Sequence, residues 1–193
     1  MFDYPEGATP IDEDEKDDLL IPHITTLEEL NEWEQRNITD AYSWLDSTRR
    51  KDILSEDFIR TLHKKMFGKV WRWAGNYRQS DKNIGVDWPK ISINLRKLLD
   101  DVRYWIDHGT YPADEIASRF HHRLVQIHLF PNGNGRHARV LTDFLLERVF
   151  EEEPFTWGSG NLMEDNKIRD KYIEALRAAD QHNYKPLLKF VRS

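Results

Sequence analysis

His128-Leu129-Phe130-Pro131-Asn132-Gly133-Asn134-Gly135-Arg136-His137-Ala138-Arg139 joins two apolar-periodic segments through a loop with two glycines. On its N-terminal side Ile116, Phe120, Leu124 and Ile127 recur at helical spacing, and on its C-terminal side Val140, Leu141, Phe144, Leu145 and Val149 do the same. The spacing therefore predicts two amphipathic helices joined by a short loop, with Pro131 stopping the first. The second opens at Gly-Asn-Gly-Arg, where no bulky side chain covers the free N–H groups. Those groups, the positive end of the helix dipole and two glycines make an anion cradle suited to phosphate. Arg136 and Arg139, three apart, share a helical face and can fork onto phosphate oxygens. His128 stands just before the loop, and an imidazole with an ordinary pKa of about 6.5 can take a proton near neutral pH.

Outward from this centre the chain reads as helical. Thr26 with Glu29 forms a capping box for a helix whose apolar positions are Leu27, Leu30, Trp33, Ile38 and Tyr42. Ser55-Glu56-Asp57 opens another, with Phe58, Ile59, Leu62 and Met66 facing inward and Gly68 at its end. Pro89 opens a long one carrying Ile91, Leu95, Leu98, Leu99, Val102, Trp105 and Ile106. Pro112 begins the helix that leads to His128. Asn161 is a cap for a helix whose buried face holds Ile168, Tyr172, Ile173, Leu176 and Ala179, and a last short helix begins near Pro186. Only Val70 to Pro89, with turn chemistry at Gly75-Asn76, Ser80-Asp81 and Asn83-Ile84-Gly85, is β-compatible, and it predicts one hairpin. The fold class is all-α, about seven to nine helices, with a small β-hairpin flap.

Composition narrows the function. The 193 residues suit one domain with an N-terminal extension. A formal net charge of −6 disfavours a general nucleic-acid binder. There are no cysteines, so neither a disulfide framework nor a thiolate metal site is available. No apolar run reaches the roughly 18 residues of a membrane span, and the acidic start lacks a signal peptide's pattern, so a cytoplasmic location and no membrane partner are expected. His121 and His122 are adjacent and point to different helix faces, and with His128 and His137 they complete no zinc spacing. The run Asp12 to Asp18 reads as a solvated acidic arm, and His137 as solvent-facing or as a partner to groups that hold the ligand. Three units follow: an acidic arm over 1–22, an N-terminal helix region over 23–50, and a helical domain over 51–193.

The central stretch closely resembles the signature of the Fic (Fido) family, H-x-F-x-[D/E]-G-N-G-R-x-x-R, with Asn132 at the acidic position. Phe67-Gly68-Lys69-Val70-Trp71-Arg72-Trp73-Ala74-Gly75-Asn76-Tyr77-Arg78 is similar to a second family segment, F-G-x-V-(Y/W)-x-W-A-G-x-x-R, and Tyr172 to Val191 resembles its closing helices. The whole chain, with Gly7-Ala8-Thr9-Pro10 and Leu30 to Gln35, also resembles the subfamily called mobile mystery protein B, a label without biochemistry. The resemblance implies a protein adenylyltransferase that moves AMP from ATP to a Ser, Thr or Tyr hydroxyl of a target protein. His128 would be the catalytic base, Gly133, Asn134, Gly135, Arg136 and Arg139 the phosphate-binding residues, and Phe130 a core anchor. Asn132 would stand where the family places its Mg²⁺ ligand (Mn²⁺ being an alternative ion), and a neutral amide there weakens the metal or changes the nucleotide. Lys82, Asn83, Ile84, Gly85 and Val86 would form the flap that aligns the target by main-chain pairing. Many members are inhibited by a helix glutamate that pairs with the motif's second arginine. Glu34, or else Glu29, is the candidate here, against an ordinary surface glutamate. The alternatives are a non-catalytic Fic-like binding module and transfer of another nucleotide. A homo-oligomer is left open.

Overall fold

A computed structural model describes residues 12–159, 162 and 166–193. The expected cap Asn161 and the Gly7–Pro10 resemblance lie outside the described residues. The helices run in order as α1 (Glu13–Lys16), α2 (Leu27–Ser47), α3 (Glu56–Phe67), α4 (Ile91–His108), α5 (Ala113–Ile127), α6 (Asn134–Leu145), α7 (Asn166–Asp180) and α8 (Lys185–Val191). Short 3₁₀ turns lie at Trp88–Lys90 and Trp157–Ser159, and a π turn at Leu146–Phe150 extends α6. Helices therefore dominate, as the periodicity predicts.

The expected hairpin is absent among the described residues, where the one extended pairing is an isolated antiparallel bridge between Leu19 and Trp71. The flap's main-chain groups are engaged elsewhere. The Val86 N–H donates to the Ile127 carbonyl at 3.4 Å. The Arg78 guanidinium donates to the carbonyls of Ser80 (2.8 Å) and Val86, and the Asp81 carboxylate accepts from the Trp88 N–H at 2.8 Å. A segment whose two ends have given these groups to other partners is not free to pair along a ladder there.

The main core joins α2 to α6 around Phe58, Ile59, Leu62, Phe120, Phe130 and Leu141, each with no exposed surface. Burying a side chain of this size stabilises by roughly 1.5–3 kcal/mol. A second cluster packs Trp157, Tyr172, Ala175, Leu187 and Val191 against Ala117 and Leu146, setting α7 and α8 beside the α5–α6 pair. Asp143 fastens the intervening loop, accepting from the Phe155 N–H at 3.2 Å and from the Trp157 indole N–H at 3.0 and 2.9 Å.

Several boundaries depart from the sequence reading. α5 ends at Ile127, not at Pro131, because His128 turns left-handed with φ 56° and ψ 69°. Pro89 lies in the 3₁₀ turn before α4. The buried face of α2 is Leu30, Glu34, Asn37, Ile38, Ala41 and Leu45, whereas Trp33 and Tyr42 are exposed at 42% and 46%. Two polar residues occupy the inner face there, and they displace the apolar stripe by a step. Asn37 explains one: its amide donates to the Lys65 carbonyl at 2.8 Å and accepts from the Lys69 N–H at 2.9 Å, closing the C-terminal end of α3.

Candidate active site

The loop between α5 and α6 is held from three sides. Its own Asn134 side chain accepts from the Phe130 N–H at 2.9 Å and donates to the Phe130 carbonyl at 2.7 Å. The Asn134 side chain thus braces the turn, and what α6 offers a ligand at this residue is backbone N–H. Gly133 precedes the helix with φ +77° and no side-chain cap, and a Cβ there would meet the Phe67 ring at 2.7 Å. A left-handed turn pressed against an aromatic ring admits glycine alone.

His63 on α3 provides the second hold. Its Nδ1 accepts from the Gly75 N–H at 3.0 Å, which leaves the ring proton on Nε2 to donate to the Asn132 carbonyl at 3.1 Å. The ring stacks on Phe130 with centroids 3.7 Å apart. Full burial, and then the nearby His137, push its pKa well below 6.5, so it is neutral. His63 therefore ties the Trp73-Ala74-Gly75 turn to the glycine loop. The sequence reading assigned it nothing, and its signal, one histidine on the inward face of an amphipathic helix, is indistinguishable from packing.

Arg78 is the third. It is 1% exposed, and its backbone N–H donates to the Leu129 carbonyl at 3.0 Å. The guanidinium donates to the His128 carbonyl at 2.6 Å and the Ile127 carbonyl at 3.4 Å. An arginine spending its donors on carbonyls is a planar clamp on the backbone. Gly85 lies against it: a Cβ there would fall 2.6 Å from Arg78 Nη2 and 2.9 Å from His128 Cβ.

His128 itself is 4% exposed, and neither ring nitrogen has a partner at hydrogen-bond geometry, the Val125 backbone being the polar group that bears on the ring. Burial lowers its pKa to about 4, with the charges of Arg78 and Lys82 adding to the effect. A buried imidazole without such partners, held neutral in a left-handed backbone, is a strained arrangement of the kind found where chemistry is done. It lines a cavity of about 650 Å³ together with Asn132, Gly133, Asn134, Gly135, Arg136 and Arg139, which is within the range of ligand pockets. Leu27 and Leu30 of α2 line the same space from one side, and Ile173 and Leu176 of α7 from another. Ile173 and Leu176, expected in the core, are half-buried because they wall this cavity. Ile84 and Gly85 are the flap residues that reach it. Lys82, Asn83 and Val86 are not among its lining residues.

The acidic helix residues resolve differently from one another. Glu29 is exposed and serves the cap of α2, accepting from the N–H groups of Thr25 at 2.8 Å and Thr26 at 3.1 Å. Glu34 is 2% exposed and is no surface glutamate. One of its carboxylate oxygens accepts from the Trp71 indole N–H at 2.6 Å. The other lies 2.6 Å from Arg136 Nη1, an ion pair whose angle is not that of a hydrogen bond. The partner is the first arginine of the motif and not the second. Arg136 also lies over the Phe67 ring at 4.9 Å, whereas Arg139 lies 5.8 Å from the Tyr172 ring.

His121, His122 and His137 are held in packing contacts, and His122 also lines the cavity. His137 is 1% exposed and donates from Nε2 to the Ile59 carbonyl at 3.0 Å, which corrects its expected solvent-facing place. His121 meets the Tyr172 hydroxyl at 2.8 Å, and His122 lies between Tyr184 and Asp180. Among the described residues no three His, Asp or Glu side chains converge as a metal site. Asn132 does not fit Mg²⁺ well, because its side-chain oxygen accepts from the Gly133 N–H at 2.6 Å and carries no charge. The cavity's carboxylates are Glu34, paired with Arg136, and Asp180, bonded to His122 and Gln126. The acidic arm is also not freely solvated: Asp12 and Glu15 pair with Lys82, and Asp18 with Arg72.

The class of protein so defined is a helical bundle built round a glycine turn and a left-handed histidine. Residues 53–146 match the model of the Fic/DOC family, and the chain carries a Fic/DOC family domain. The protein adenylyltransferase Fic of Nematostella vectensis is 26% identical over 160 residues, 80% of this chain, of which the match spans 36% of that longer protein. Among solved structures, Fic-1 from C. elegans superposes with a TM-score of 0.68 at 24% identity, covering 90% of this chain and 50% of that one. The N-terminal Fic domain of a cell filamentation protein from Bartonella quintana, solved with bound ADP, gives 0.69 at 17% identity, covering 89% of this chain and 86% of that one. No helix among the described residues is long and apolar enough to cross a membrane.

Proposed function

We propose that the protein is an adenylyltransferase that moves AMP from ATP to a hydroxyl side chain of a target protein, and that Glu34 on α2 restrains it. The observation that carries the reading is His128, buried, neutral and without a hydrogen-bond partner, lining one cavity with the uncapped glycine start of α6. In this scheme the target oxygen attacks the α-phosphorus, its proton passes to His128, and pyrophosphate leaves. The free N–H groups at the start of α6 and the guanidinium of Arg139 neutralise the phosphates, and Arg136 joins them when Glu34 withdraws. Leu27, Ile173 and Leu176 supply an apolar wall for the nucleobase.

The fit of Glu34 to Arg136 makes restraint the expected resting condition. A carboxylate 2.6 Å from Arg136 holds the place of a phosphate oxygen and adds a like charge to an anion site. Incubation of the wild type, Glu34→Gly and Glu34→Gly/His128→Ala with ATP and a cell lysate, followed by intact-mass and peptide mass spectrometry, tests both parts. An added AMP mass on protein, raised at least tenfold by Glu34→Gly and absent in the double variant, is expected. No AMP transfer by either chain with His128 intact refutes the enzyme, and equal transfer by the wild type and Glu34→Gly refutes the restraint.

A further inference from the structure

Lys82 is the most deeply paired lysine on the flap side of the molecule. Its side chain is 2% exposed, and its ammonium lies 2.6 Å from Asp12 and 2.6 Å from Glu15. Both carboxylates come from the N-terminal arm, about seventy positions away in sequence. The Ser80 hydroxyl also donates to Asp12, at 3.4 Å. The arm is laid against the domain by further bonds: the Leu20 N–H donates to the Val70 carbonyl at 2.8 Å, and the Arg72 N–H to the Asp18 carbonyl at 2.9 Å. A lysine is rarely covered so fully unless anions compensate the lost hydration. Without the arm, the flap would present this cation to solvent three residues from Gly85, the residue that abuts His128.

That arrangement has a chemical consequence for what can approach the imidazole from this side. A visiting polypeptide must bring negative charge to take the place of Asp12 and Glu15, or leave Lys82 buried and unpaired. The occupant now seated shows the spacing: two carboxylates three residues apart, at one helical turn. We infer that the Ser80–Val86 flap is a docking surface for an acidic segment of the target protein, which the Asp12–Asp18 arm occupies until that segment displaces it. The inference rests on the target-modifying reading above and names the kind of target: one with Asp or Glu residues spaced by three near the hydroxyl. The side chain of Asp12 is half exposed, at 51%, so exchange can begin at its solvent side. A nucleic acid could also neutralise Lys82, but the seated occupant is a carboxylate-bearing peptide and the chain's net charge of −6 opposes a polyanion.

Binding without nucleotide tests this apart from catalysis. The probe is a fluorescein-labelled peptide of twelve residues containing Asp-Ser-Ala-Glu, compared with its Asn/Gln counterpart, by anisotropy at low salt on the full chain. Asp12→Asn/Glu15→Gln is expected to bind the acidic peptide at least fivefold more tightly than the wild type. Adding Lys82→Gln to that variant should remove the gain, Lys82→Arg should keep it, and 0.5 M salt should abolish it. Thermal melts verify that each variant is folded. Equal affinity of the wild type and Asp12→Asn/Glu15→Gln overturns the inference, as does equal binding of the amide peptide or indifference to Lys82→Gln. Since no nucleotide is present, such a result leaves the transfer assay to judge the enzyme reading by itself.

Discussion

His128 and His63 are both buried imidazoles with lowered pKa, yet their surroundings give them different work. His63 has a partner on each nitrogen and is a strut; His128 has none and is available. Replacing His63 by Ala strands the Gly75 N–H and the Asn132 carbonyl, each at a cost of about 1–3 kcal/mol. Urea unfolding should show a loss of roughly 3–5 kcal/mol once the emptied ring volume is included. For His128 the sign is set by direction: a histidine whose pKa is lowered to about 4 keeps its base form far into acid. The pH profile of kcat/KM for AMP transfer by Glu34→Gly should therefore stay flat from pH 8 to 5.5, whereas an unperturbed imidazole would lose about 90% of its base form over that range. A decline centred near 6.5 would mean that burial does not hold the imidazole low in the free enzyme.

At the scale of elements, the proposed restraint rests on the position of α2, which sets Glu34 against Arg136. α2 reaches α3 through Asn37, which satisfies one group on each side of the turn after α3. Asn37→Ala should cost about 2–4 kcal/mol by leaving the Lys65 carbonyl and the Lys69 N–H unpaired, measurable by urea unfolding. Such a variant should also transfer AMP faster than the wild type, because Glu34 lies on the same helix. Much of this scale was legible in the chain. The capping box at Thr26–Glu29 forms as read, with the Glu29 N–H donating to Thr26 at 3.2 Å. The apolar periods of α3 to α6 bury most of the expected residues because their spacing leaves one compatible face, whereas Trp105 and Ile106 at the end of α4 are half-buried and Val149 in the π turn is exposed. What escaped reading was long-range polar pairing. Nothing within α2 marks Glu34 as buried, since its partners Trp71 and Arg136 are 37 and 102 positions away. The flap escaped for a related reason, as its turn residues are real but Arg78 claims the carbonyls that a hairpin would use. Arg78 stands inside a recognised segment, yet only the fold shows which carbonyls it holds.

For the whole molecule, buried neutral histidines govern the response to acid. Burial lowers His121 to about 3 and His137 to about 4, and sets His63 well below 6.5. The unfolded chain takes up protons on these groups near pH 6.5 while the folded chain does not, so their contribution is full above 6.5 and is lost as pH falls toward 4. Each such proton weakens the fold by about 1.4 kcal/mol per pH unit inside that window. Asp143 acts oppositely, since burial raises it to about 6 and the folded form gains protons there first. One carboxyl cannot offset three or more imidazoles, so the denaturation midpoint should drop steadily between pH 6.5 and 5. A constant midpoint over that interval would mean that these rings take up protons as readily in the folded chain as in the unfolded one.

The left-handed backbone of His128 bears on how such a chain changes over generations. A glycine at this position would relax the φ of 56° and remove two orphaned nitrogens. Selection for heat resistance alone would thus favour discarding the ring that the proposed transfer uses. Under the proposed chemistry, sturdiness and activity pull this residue in opposite directions.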